Sequence, residues 1–127
     1  MSTQQLSEFG KFVRIARLQS GKTLKDMADF AGVKSAYFSA IETGRKEVTG
    51  KVVELVARFL NLDEVQKTEL EILANSSNGK IRIDLESMEK EGVEVATLFA
   101  RYGSQLSHDA MVKISTTIKD EVMSKEK

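Results

Sequence analysis

The sequence predicts an all-α chain: a five-helix bundle over residues 1–75, a linker over 76–80 and a helical extension over 81–127. Three observations carry this. Proline is absent from all 127 residues, so no helix is interrupted by a residue that lacks an amide donor. Apolar residues recur at spacings of three and four through most of the chain, as in helices with one buried face. Ser, Thr or Asp precedes several of these periodic segments, and Gly follows several of them, which are helix start and stop signals.

The first helix is predicted over about 7–19, with Phe9, Phe12, Val13 and Ala16 on one stripe and Gly21 beyond its end. Thr23 reads as the next N-cap, and Asp26, three residues on, is a weaker version of the capping-box acid. The second helix, 24–30, buries Leu24, Met27 and Ala28. Ala31-Gly32-Val33 is the turn, and the third helix, about 35–43, stops at Gly44. Arg45-Lys46-Glu47 forms a short charged loop. Thr49 caps a fourth helix that reaches Leu60, with Val52, Leu55, Val56, Phe59 and Leu60 on its apolar face. Asp63 caps a fifth over 64–75, with Val65, Leu70, Ile72 and Leu73 facing inward.

Asn75-Ser-Ser-Asn-Gly79 is polar and contains Asn-Gly, so it reads as a linker. Ile81-Arg-Ile-Asp-Leu85 alternates apolar and polar, which suggests a short extended segment. Val95, Leu98, Phe99 and Tyr102 predict a helix over 93–102 that Gly103 ends. Ser107 caps the last helix, with Asp109 in its favourable first turn. Met111, Ile114, Ile118 and Val122 make a thin stripe along it, and residues 125–127 are expected to fray.

Charge divides the chain although the net is zero. Residues 1–60 hold ten Lys and Arg against six Asp and Glu, a balance of +4, and residues 61–127 hold nine against thirteen, a balance of −4. A basic first half can approach phosphates. Cysteine is absent, so there is no disulfide framework and no thiolate metal site. No signal-peptide pattern opens the sequence, and no apolar run approaches the roughly 18 residues of a membrane span. The expectation is a cytoplasmic protein with no membrane association.

Several apparent motifs fail on spacing. Gly44 to Lys51 resembles a phosphate loop, but five residues rather than four separate its glycines and Val52 follows the lysine. His108 is the only histidine and has no second ligand beside it. Glu69/Glu71 and Glu89/Glu91 lie two apart and cannot share a helical face. No catalytic residue, metal site or cofactor is predicted, and the chain does not read as an enzyme.

The third helix is the unusual one. Phe38 and Ile41 give it an inner face, yet Ser35, Ala36, Ser39, Ala40 and Thr43 keep the others small and uncharged. Such a face suits close approach to another surface, whether nucleic acid, another protein or residues 76–127. The stretch GKTLKDMADFAGVKSAYFSAIETGRKEVTGKVVELVARFLNL, residues 21–62, resembles the helix-turn-helix of Cro and phage repressors, the XRE family of bacterial regulators. Thr23, Met27-Ala28, Gly32-Val33, Tyr37-Phe38-Ser39, Ile41-Glu42 and Gly44 carry the resemblance, which extends over about residues 7–75.

The resemblance implies a five-helix DNA-binding bundle of the repressor type, with double-stranded DNA as partner. The third helix would then lie in a major groove about 12 Å wide while the second crosses the backbone. Lys34, Ser35, Ala36, Tyr37, Ser39, Ala40 and Thr43 are the expected base-reading residues, with Tyr37 able either to read or to pack. Thr23, Arg45 and Lys46 are the expected phosphate contacts, with Lys25 and Lys51 as weaker ones. Arg17 and Glu42 match a family ion pair between the first helix and the end of the third. The chain departs from the pattern in two ways: Leu24 stands where glutamine is common, and the reading face, where Gln, Arg or Asn is common, has no bidentate reader apart from Lys34.

Residues 81–127 carry no motif, but their apolar stripes need a cover. Leu98, Phe99, Met111, Ile114, Ile118 and Val122 are the expected dimerisation residues. Three functions are compatible with the chain: a dimeric repressor, an antitoxin whose segment 81–127 binds a toxin partner while the first domain represses its own operon, and an interaction module that keeps the fold without reading DNA.

Overall fold

The structure, a computed structural model, describes residues 5–125. Among them every regular element is helical: α1 (Glu8–Gln19), α2 (Leu24–Ala31), α3 (Ser35–Glu42), α4 (Gly50–Phe59), α5 (Glu64–Asn78), α6 (Lys90–Tyr102), a 3-10 turn (Gly103–Gln105) and α7 (His108–Lys125). The chain divides into two units after Ile81. Fraying expected at residues 126–127 lies outside the described residues.

Local chemistry sets the helix starts of the first unit. The Ser7 hydroxyl accepts the Gly10 N–H, the Thr23 hydroxyl accepts that of Asp26, Thr49 accepts that of Val52 and Asp63 accepts that of Gln66. Each satisfies an amide that the helix leaves unpaired. The capping box at Thr23 is complete, because the Asp26 carboxylate accepts the Thr23 N–H at 2.9 Å. That bond holds the Asp26 carboxyl below the usual carboxylate range. Gly32 follows α2 at φ 72°, a left-handed conformation that glycine adopts freely and that turns the chain into α3.

One core fills the first unit. Phe9 and Val13 of α1 meet Met27 and Ala28 of α2, Phe38 and Ile41 of α3, Val48, then Val52, Val53, Val56 and Leu60 of α4 and Leu70 and Ala74 of α5. Four expectations change here. Val65 and Ile72 are 78% and 61% exposed rather than inward, because α5 packs through Leu70, Leu73 and Ala74. Ile72 stands about 200° around the helix from Leu70. On α4, Val53 and Ala57 are buried and Leu55 is only half-buried. Residues 76–78, expected in a linker, continue α5, which ends at Gly79 with φ 74°. Residues 81–85, expected as extended, form no regular element.

Asn78 explains part of that extra turn. Its Oδ1 accepts the Val48 N–H and its Nδ2 donates to the Val48 carbonyl, both at 2.8 Å. The tertiary pair rewards keeping the last turn helical.

The last turn of α3 is tied to α1. The Ser7 N–H donates to the Glu42 carbonyl at 2.9 Å, and the Ser7 hydroxyl donates to the same oxygen at 3.1 Å. Gly10 lets the backbones approach this closely, since a Cβ there would stand 2.1 Å from that oxygen. The Glu42 side chain turns inward and meets Arg17, the two residues being 4% and 6% exposed. One guanidinium nitrogen, Nη2, donates to both carboxylate oxygens at 3.2 Å, rather than two nitrogens forming a fork. Arg17 Nε is buried without an acceptor among the described residues. Burial pushes the Glu42 carboxyl up, and the neighbouring Arg17 opposes that shift.

In the second unit, α6 begins at Lys90, one turn earlier than expected, and Ser107 caps α7 by accepting the Ala110 N–H at 3.1 Å. None of its described side chains is buried. Val95, Leu98, Phe99 and Tyr102 on α6 and Ile114, Ile118 and Val122 on α7 are exposed, and Met111 is half-buried.

Two outcomes follow from the α1–α3 tie. Gly10→Ala forces a Cβ into unyielding backbone and should cost about 1–3 kcal/mol in guanidinium unfolding; an unchanged midpoint would contradict the close approach. Arg17→Met strands a buried carboxylate and should cost about 3–5 kcal/mol at neutral pH. The raised Glu42 pKa means that its contribution is complete below its unfolded pKa and is lost as pH rises through the folded value. Removing Arg17 raises it further, so the deficit of the variant should grow as pH rises above the ordinary carboxylate range. A deficit independent of pH would show that the pair is not what the substitution removes.

Candidate nucleic-acid interface

The inner side of α3 is its anchor. Phe38, Ile41 and Glu42 are buried, which leaves Ala36, Ser39, Ala40 and Thr43 to turn away from the core, related by i, i+3, i+4 and i+7. Ala36 is exposed, and Ser35, Ser39, Ala40 and Thr43 are half-buried. Glu42 is the only acid on α3, and its burial leaves the outward side without negative charge. Ala28 of α2 is buried in the core, and α2 packs against α3.

Basic residues bracket this face. Lys34 is the N-cap of α3, exposed, and makes no side-chain capping bond. Arg45 and Lys46 follow Gly44, whose φ of 78° turns the chain back. The Arg45 and Lys46 amides both donate to the Ala40 carbonyl, at 2.9 and 3.2 Å, which holds the loop against the helix end. Lys51 is exposed in the first turn of α4.

Several expected contacts are already engaged within the chain, among them Arg45, whose Nε donates to the Thr43 hydroxyl at 3.1 Å. Tyr37 packs on the core, edge-on to Phe38 with ring centroids 5.5 Å apart, and Lys46 Nζ lies 5.3 Å from the Tyr37 centroid. Thr43 is the C-cap of α3 rather than its last residue, and its hydroxyl donates within reach of the Ser39 and Ala40 carbonyls at 2.9 and 3.2 Å. Lys25 pairs with Asp29 at 3.0 Å, and that hydrogen bond raises its pKa. Thr23 has its backbone N–H committed to Asp26.

Thr23, Ser39 and Thr43 line one cleft of about 480 Å³, together with Arg14 and the Arg17–Glu42 pair. Arg14 is exposed on α1 and was not singled out by the sequence, because α1 carries no motif of its own. Lys22 also lines the cleft but is drawn inward, donating to the Phe59 carbonyl at 2.6 Å with its Nζ 4.7 Å from the Phe59 ring centroid. Among the described residues no cluster of three His, Cys, Asp or Glu could hold a metal, and no helix is long and apolar enough to cross a membrane.

A protein-family model described as a helix-turn-helix domain matches residues 8–70. Two curated relatives from strains of Mycobacterium tuberculosis, each named transcriptional regulator ClgR, are 38% identical over 53 residues, which covers 42% of this chain and 47% of each relative. The chain thus spans about half the length of the curated relatives it matches. No solved structure shows a significant match. Residues 8–70 form a helix-turn-helix domain.

Proposed function

We propose that the chain is a sequence-specific DNA-binding regulator of transcription, a dimeric repressor that reads the major groove with α3. The observation that carries this is the outward side of α3. It is small, polar to apolar and free of acid, and it is held from behind by Phe38, Ile41 and Glu42. Basic side chains stand at both ends of it. Ser35 and Ser39 supply hydrogen bonds at base edges, and the Ala36 and Ala40 methyls suit thymine methyls. Lys34 reaches a guanine or a phosphate. Arg45, Lys46, Lys51 and the newly identified Arg14 serve the backbone, with lesser roles for Thr23 and Lys25. Tyr37 and Thr43 shape the surface more than they read it. Few long hydrogen-bonding side chains are present on this face, so DNA shape carries much of the specificity.

Regulation of transcription rests on the relatives that bear that name. Dimerisation rests on the exposed apolar residues of α6 and α7, namely Leu98, Phe99, Ile114, Ile118 and Val122, with Met111 beside them. Two copies on a two-fold operator raise affinity, and their half-sites would lie about 34 Å apart. A protein that works on DNA in this way belongs in the cytoplasm. The same uncovered faces also suit the antitoxin reading, in which the cover is a toxin.

The reading is tested by fluorescence anisotropy on DNA from upstream of the gene, against excess mixed-sequence competitor. Lys34→Ala combined with Ser39→Glu should weaken binding at least about tenfold, a loss of about 1.4 kcal/mol. Binding indifferent to the double substitution would remove α3 as the reader. Sedimentation of the full chain should show a dimer that Ile114→Asp with Ile118→Asp converts to monomer. A monomeric wild type would leave the toxin partner as the cover.

A further inference from the structure

The Asn78 side chain does for the α3–α4 loop what a strand partner does for a strand. Through Oδ1 and Nδ2 it takes both backbone groups of Val48 at 2.8 Å. Val48 sits in the segment between Glu42 and Gly50 that carries Arg45 and Lys46. The near end of that segment is fixed by the bonds from Arg45 and Lys46 to the Ala40 carbonyl. The far end has the buried Val48 side chain and this amide pair, followed by the Thr49 cap of α4. Lys80, two residues past Asn78, also approaches Glu47 at 4.0 Å.

A paired amide of this kind fixes direction as well as position. Burial of the Val48 isopropyl group alone leaves the flanking peptide units free to rotate, whereas bonds to its N–H and its C=O, which lie on either side of its Cα, fix both units. The unit that carries the Val48 N–H also carries the Glu47 carbonyl, so fixing it sets where the preceding residues point. We infer that Asn78 is a positioning residue for DNA binding: it holds the 43–49 loop so that Arg45 and Lys46 face the phosphate backbone. This rests on the DNA-binding reading above. Asn78 touches no DNA itself; it acts through the loop.

The inference has a readout that a stabilising role alone would not move. Each phosphate contact contributes about 0.9 to the slope of log affinity against log salt. Full-length wild type, Asn78→Ala, Arg45→Ala with Lys46→Ala, and the triple variant are titrated on a labelled mixed-sequence duplex two helical turns long, at several salt concentrations and below every melting temperature. Asn78→Ala should lower the slope by about 1 to 2, and should add nothing when Arg45 and Lys46 are already gone. If Asn78→Ala does not fold, Asn78→Asp takes its place, keeping the acceptor for the Val48 N–H while losing the donor; its slope should fall and again add nothing to the Arg45/Lys46 loss. A folded Asn78 variant with the wild-type slope would overturn the inference, and so would a slope loss that adds to that of Arg45 and Lys46. A wild type with no salt-dependent binding would instead overturn the DNA reading beneath it.

Discussion

Glu42 is the residue on which the orientation of α3 depends. Its backbone carbonyl accepts two hydrogen bonds from Ser7, and its carboxylate meets Arg17 in the interior. Backbone and side chain of one residue are therefore both held by α1. A helix of eight residues has little hold of its own, so its rotation must come from tertiary contacts. With Glu42, Phe38 and Ile41 turned inward, the small residues have one direction left to face.

The buried pair is an expensive way to secure this. Desolvation raises the Glu42 carboxyl, Arg17 meets it through a single nitrogen, and Arg17 Nε has no acceptor among the described residues. A hydrophobic pair of similar volume could be as stabilising. The ion pair adds something else: it takes the only acid of α3 out of the surface. A carboxylate left on the outward side would repel phosphate. Here one interaction sets both the geometry and the sign of the local charge.

The second unit follows different physics. Its amphipathic helices have favourable starts, and their apolar stripes run at helical spacing, yet none of its described side chains is buried. Helices of this size draw most of their stability from packing. The apolar faces of α6 and α7 are thus exposed, whereas the first unit is built around its own core.

Much of the first unit was legible in the sequence because its signals are local. Thr23 with Asp26, Thr49 and Asp63 act within three residues, and Gly32 and Gly44 answer conformations set by their own φ. The inner and outer sides of α3 were readable from spacing, and its anchors Phe38 and Ile41 with them. Other features depend on residues far apart in sequence. Gly10 resembles any helical glycine until Glu42 is placed against it, and Asn78 looks like linker until Val48 lies beside it. Val65 and Ile72 looked like core residues because apolar character does not say which side of α5 meets α1 and α4. For Tyr37 and Thr43, spacing does not reveal that the ring packs on the core or that the hydroxyl donates to nearby backbone carbonyls. Helix limits, caps and the turn thus come from interactions within a few residues, which the linear order contains. The tie between α1 and α3, the grip of Asn78 on the loop and the free sides of α5 come from close approaches across the bundle, which arise only when the helices pack.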